Sequence, residues 1–220
     1  MKNITWNREE IWQGCVLASI AHAISVAHCP EISHEQSWDG LNYNVQDSLG
    51  ARGTITFHPK YLVAAFREDK SERVTRYINA LEYFKDSPEE VKMLASNETL
   101  QYLLEDNDGK LIPVITTAFW GNREKIHSQD ELDVIIENGG FLLERQTTDI
   151  EIAIKEWQEY YEMSDLRINL LKSIFQRKIE NPSKIIILTQ NEIQMIESDD
   201  EEGLNESRIS FEEIGINWAL

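Results

Sequence analysis

Residues 11–30 contain no Asp, Glu, Lys or Arg, in a chain where 27% of residues are charged. Asn7 with Glu10 three residues on reads as a capping box, each side chain satisfying a backbone donor at a helix start. Beyond it Ile11, Trp12, Cys15, Val16, Ala18, Ile20, Ala21, Ala23, Ile24 and Ala27 cover nearly the whole circumference of a helix over residues 8–29. A helix apolar all round is buried on all sides, and its alanines let neighbouring elements approach closely. The rest of the chain must therefore fold around this helix. A membrane span does not fit. Gln13, Ser19, His22, Ser25 and His28 interrupt the run, and a span takes roughly 20 predominantly apolar residues. A secretory signal does not fit either, because Glu9 and Glu10 stand where that signal is positive.

The 220 residues suffice for a single domain over 1–220, and 41% apolar content suffices for a core. Two cysteines outside any disulfide pattern fit a reducing cytosol, so a cytoplasmic location is expected. The net charge is -18 and it is unevenly spread. Residues 1–70 are nearly neutral, and the acidity sits on the later elements. Binding to nucleic-acid phosphates needs clustered Lys and Arg, so it is disfavoured. The natural complement is a basic protein.

Along the chain, Pro30 ends the first helix and residues 32–41 read as loop, with a turn at Trp38, Asp39 and Gly40. Alternation at Tyr43, Val45 and Asp47, the β-branched and aromatic residues 54–57, and the apolar run 61–66 predict a two- or three-stranded meander. A helix is expected over 71–84, with Val74, Tyr77, Ile78, Leu81 and Phe84 on one face. Another should begin at Ser87 and Pro88, followed by a helical turn or two over 98–104 and a turn at 106–109. Residues 111–119 read as a strand, Ser128 with Glu131 as a second capping box, and Asn138, Gly139 and Gly140 as a helix end. A short strand at 141–144, helices over 149–180 broken near Ser164, and a strand at 184–189 follow. A hairpin through Gln190 and Asn191 then leads into 193–196. Strand and helix alternating from 111 to 189 predict parallel βαβ units. The fold class is thus α/β or α+β, with a mixed sheet, a buried N-terminal helix, a β-meander and helices covering the sheet. Residues 198–207 read as a mobile acidic loop, and 209–220 as a segment that docks back on the body.

Candidate chemistry is sparse. Gln13-Gly14-Cys15 resembles the Gln-Gly…Cys start of papain-like cysteine hydrolases over three residues, without that family's spacing between Gln and Cys. The resemblance implies a nucleophilic Cys15. Chemistry of that kind wants the thiol at a helix N-terminus, and the cap at Asn7 puts Cys15 two turns inside. Cys15, His22 and Cys29 share a helix face. Seven residues rise about 10.5 Å, whereas zinc ligands all lie about 2.0–2.3 Å from one ion, so no metal site is expected. No cofactor is expected. The densest polar and aromatic cluster runs from Trp38 and Asp39 through Tyr43 to Arg52, residue types that dominate binding surfaces but also build turns. The densest like-charge run is Asp199, Asp200, Glu201 and Glu202.

Two readings follow. The first is an acidic cytosolic binding protein of the immunity or antitoxin type, which covers a basic protein such as a nuclease. It would bind through Trp38, Asp39, Tyr43 and Arg52, and through Asp199, Asp200, Glu201 and Glu202. The second is a small cysteine-dependent hydrolase or transferase using Cys15. Neither nucleic acid nor membrane is an expected partner, and the sequence leaves the oligomeric state open.

Overall fold

The computed structural model describes residues 1–76 and 79–219. Tyr77 and Ile78 of the helix face expected over 71–84, and Leu220 of the segment expected to dock, lie outside the described residues. The chain divides into two compact units, Met1–Ile11 with Asp39–Glu144, and Trp12–Trp38 with Arg145–Leu220. In chain order the elements begin with β1 (Lys2–Ile4), α1 (Arg8–Val26), β2 (Gln36–Asp39), β3 (Asn42–Gln46), β4 (Arg52–Phe57) and β5 (Leu62–Arg67). Then come α2 (Glu89–Asn97), β6 (Leu104–Asn107), β7 (Lys110–Pro113), β8 (Thr117–Gly121), β9 (Ile126–Ser128) and α3 (Leu132–Glu137). The chain ends with α4 (Ile150–Tyr160), α5 (Asp165–Glu180), β10 (Ile186–Leu188), α6 (Gln190–Gln194), α7 (Glu201–Glu213) and β11 (Ile216–Trp218). The expected class holds: helices, a buried N-terminal helix and an antiparallel β-meander. Among the described residues no helix is long and apolar enough to cross a membrane.

In the first unit six strands run in the order β1-β9-β8-β5-β4-β3, every neighbour antiparallel. The meander β3–β5 forms where alternation and β-branching placed it. The β3–β4 turn is closed by Asp47, whose carboxylate accepts from the N–H groups of Leu49 and Ala51, both at 2.9 Å. Gly53 is required inside β4, because a Cβ there would stand 2.2 Å from the Phe66 ring. One side of the sheet packs Val63, Ala65 and Trp120 against Val91 and Ala95 of α2 and the short turn of Tyr83 and Phe84.

Several expectations in this unit are corrected. Residues 71–84 form two short 3-10 turns, Val74–Arg76 and Ala80–Phe84. Polar anchors override the helical period there. Ser71 donates to Asn138 at 2.5 Å, and Arg73 grips Asp130 with both guanidinium nitrogens at 2.7 and 3.0 Å. Residues 111–119 are two strands rather than one. β6 and β7 form a hairpin whose central residues, Asp108 and Gly109, both have positive φ, of 53° and 79°. Two-residue hairpin turns of that hand match the twist of the flanking strands. Ser87 does not cap α2, since its hydroxyl donates to the Phe84 carbonyl at 2.7 Å and Pro88 takes the cap position. Ser128 is a strand residue whose hydroxyl donates to the Ala118 carbonyl at 2.6 Å, and Glu131 holds the cap of α3. Residues 140–143 are a 3-10 turn, not a strand; a four-residue apolar run does not distinguish the two by period.

In the second unit α1 is the central element, as its composition demands. Asn7 accepts from the Glu10 N–H at 2.9 Å at its start. Val16, Leu17, Ile20, Ala23 and Ile24 are buried among Trp157, Leu170, Leu171, Ile174 and Phe211. Its buried hydroxyls are satisfied locally, Ser19 donating to the Cys15 carbonyl and Ser25 to that of Ala21, each at 2.8 Å. Such back-bonding satisfies a polar group inside an apolar surface. Gly14 is obligatory, because a Cβ would meet the Gln146 carbonyl oxygen at 1.9 Å. The break between α4 and α5 falls at Ser164, which caps α5 by accepting from the Arg167 N–H at 3.2 Å. β10 pairs in parallel with β11, and among the described residues no parallel pairing joins strands between 111 and 189, so the expected βαβ units do not form there. The expected hairpin at Gln190 is instead α6, started by a complete capping box between Thr189 and Glu192. The expected loop at 198–207 is mostly α7. The C-terminal segment docks through β11, with Ile216 fully buried.

Candidate functional site

The residues singled out in the sequence go to different places. Cys15 lies inside α1 with no exposure, and burial pushes its thiol well above the ordinary value. A nucleophilic thiol needs the opposite shift. Trp38 belongs to the second unit, where its indole N–H donates to Ser19 Oγ at 2.7 Å and its backbone N–H to Glu213 at 2.8 Å. Asp39, Tyr43 and Arg52 belong to the first. Tyr43 is fully buried. Arg52 donates to Glu105 at 2.5 Å, and Arg67 Nη1 lies 2.5 Å from the same carboxylate oxygen as an ion pair off the hydrogen-bond direction. Among the described residues no group of three or more potential ligands could hold a metal ion.

Asp39 is the exposed end of a polar chain that reaches into the sheet. Tyr102 donates to its carboxylate at 2.6 Å. Asn42, buried at the start of β3, donates to Tyr102 at 3.2 Å and to Glu98 at 3.1 Å. Thr56 donates to Asn42 Oδ1 at 2.6 Å and meets Thr99 at 2.7 Å. Burial first, then the bond to Asp39, pushes the Tyr102 phenol up to about 12. It therefore stays protonated and serves as a fixed donor that holds Asp39 in place. Alongside runs a groove of about 430 Å³ lined by Tyr61, Met93 and Leu94, with Glu98, His58 and Lys60 at its rim. Glu98, Thr99 and Tyr102 were not legible as site residues, because Asn42, the partner of Glu98 and Tyr102, and Thr56, the partner of Thr99, are more than forty positions away and only the folded sheet brings them together.

In the second unit His22 is buried beneath an aromatic cluster. Its Nδ1 lies 3.2 Å from the Tyr161 hydroxyl and its Nε2 3.4 Å from the Ser33 carbonyl. Tyr161 stacks on Trp157 at 5.4 Å, and the Arg145 guanidinium lies over Tyr160 and Trp157 at 4.4 and 5.1 Å. Desolvation lowers His22 to about 4 and raises Tyr161, so both are neutral near pH 7.

The acidic run sits at the start of α7. Asp200 is the cap and accepts from the Glu202 N–H at 3.1 Å. Asp199, Glu201 and Glu202 are exposed, and none is in an ion pair among the described residues. Carboxylates at a helix N-terminus are favoured by the helix dipole, each by about 0.3–1 kcal/mol, so the run has a local structural reason as well as an outward charge. No family model, curated protein or solved structure matches the chain.

Proposed function

We propose that the protein binds a basic protein partner in a reducing cytosol, in the manner of an immunity or antitoxin-type inhibitor of a cationic effector such as a nuclease. The observation that carries this reading is the exposed end of α7. Asp199, Glu201 and Glu202 are exposed and in no ion pair among the described residues, in a chain of net charge -18. Uncompensated like charge on a rigid helix end raises the encounter rate with a cation, and the gain falls with salt. Asp39, fixed by Tyr102, offers a second carboxylate of this kind in the first unit.

The test takes a basic partner captured from the native host and measures its association rate with the wild type and with a variant. The variant carries Asp199→Asn, Asp200→Asn, Glu201→Gln and Glu202→Gln. The reading predicts that association with the variant is slower by about tenfold at low ionic strength, with a shallower salt dependence. An unchanged rate would remove α7 from the interface.

A further inference from the structure

Two arginines stand directly opposite each other on adjacent strands of the first unit's sheet. The β4–β5 register pairs Arg52 with Arg67. Directly opposed side chains share a face, with Cβ atoms about 5 Å apart, so like charges there repel and the pair needs an anion beside it. In this structure that anion is Glu105, from the β6–β7 hairpin. One oxygen of its carboxylate takes both Arg52 Nη2 and Arg67 Nη1, each at 2.5 Å. Asp69 holds the other side of Arg67, accepting from Nε at 2.6 Å.

Glu105 fills this place incompletely. Arg67 is 8% exposed, and its Nη1 is buried without a hydrogen bond. A fork-to-fork pair would use both carboxylate oxygens, and here one oxygen serves two guanidinium groups. The carboxylate is also lightly tethered. Among the described residues Glu105 makes the only side-chain bonds from the hairpin to the rest of the chain. Residues 106–111 are exposed, and a two-stranded hairpin alone is marginally stable in water. With Glu105 withdrawn, the two arginines outweigh Asp69 by one positive charge. The side chains of Arg52 and Glu105 are 28% and 38% exposed, so a solute can reach them. A free carboxylate only repeats what the tethered Glu105 supplies at high effective concentration. A phosphate monoester brings a charge of about -1.5 to -2 and three acceptor oxygens, enough to give each guanidinium its own oxygen and the buried Nη1 a partner. We propose that Arg52 and Arg67 form a binding site for a phosphate group, free or in a small monoester, which displaces Glu105 and releases the β6–β7 hairpin.

Calorimetric titration of the full chain with inorganic phosphate and with phenyl phosphate tests this, at an ionic strength held constant with chloride. Glu105→Ala removes the internal occupant and should bind at least tenfold more tightly than the wild type. Adding Arg52→Gln to that variant should abolish the binding. Equal affinity for the two ligands assigns the site to the phosphate group itself, and a preference for phenyl phosphate assigns it to an ester. The wild type gives a second measurement that stands even if Glu105→Ala does not fold. Either ligand, at up to about 20 mM, should speed hydrogen exchange at residues 106–111 and leave β4 and β5 protected. Exchange at 106–111 that ignores both ligands overturns the proposal. So does binding that Arg52→Gln leaves intact, or a folded Glu105→Ala variant that binds neither ligand more tightly than the wild type.

Discussion

The buried histidine sets an acid limb on stability whose size follows from the structure. His22 is held neutral by desolvation at a pKa of about 4, against an ordinary value of 6.5. Because its folded pKa is depressed, the unfolded chain takes up a proton at this site before the folded one does. The contribution of neutral His22 is intact above pH 6.5, is lost progressively as pH falls from 6.5 to 4, and changes no further below 4. At 1.36 kcal/mol per unit, the loss across that window is about 3 kcal/mol. The perturbation is His22→Gln, which cannot titrate and offers hydrogen-bonding groups toward Tyr161 and the Ser33 carbonyl. The assay is urea unfolding of wild type and variant at half-unit steps of pH, followed by the fluorescence of Trp157, Trp12 and the other tryptophans. Carboxylate titrations are common to both proteins and cancel in the difference. The wild type is expected to be the more stable near pH 7.5, and its advantage should shrink by about 3 kcal/mol by pH 4. A difference that stays constant from pH 7.5 to 4 would refute the burial of a neutral His22.

Two further outcomes follow from the packing around α1. Gly14→Ala places a Cβ 1.9 Å from the Gln146 carbonyl oxygen, and overpacking against backbone should cost about 3 kcal/mol or more, read as a lowered urea midpoint. Under native conditions a thiol reagent should modify exposed Cys29 and leave buried Cys15 untouched, with mass spectrometry of the labelled chain as the check; rapid modification of Cys15 would restore it as a nucleophile.

The parts of the fold that local chemistry dictates were readable in advance. α1 was legible because twenty consecutive residues without a formal charge leave no solvent-facing side for a helix. The β3–β5 meander was legible because Tyr43, Val45 and Ile55 alternate across a pleat and are joined by turns that Asp47 and Gly50 supply. What was lost depended on distant partners. The 71–84 segment has a helical period, yet Arg73 is bound to Asp130 and Ser71 to Asn138, and these bonds exist only once the sheet has formed. The acidic run was misread for a different reason. Asp200 followed by Glu201 and Glu202 is a helix start, with a cap and an acidic first turn, but the density of like charge suggested a solvated loop. Gly203 is there because a Cβ would stand 2.5 Å from the Ala27 carbonyl oxygen. Thr189 and Glu192 carried a capping-box spacing that could have announced α6. At the candidate site Asp39 was legible and its support Tyr102 was not, since their connection is tertiary.

The central claim is that the outward charge of this chain recognises a cation. The most direct measurement is the dissociation constant of the wild-type chain with its captured partner, taken across roughly 0.05 to 0.5 M salt. The account predicts a net-positive partner and a dissociation constant that rises by about tenfold or more over that range. A partner without excess positive charge, or an affinity indifferent to salt, would contradict it.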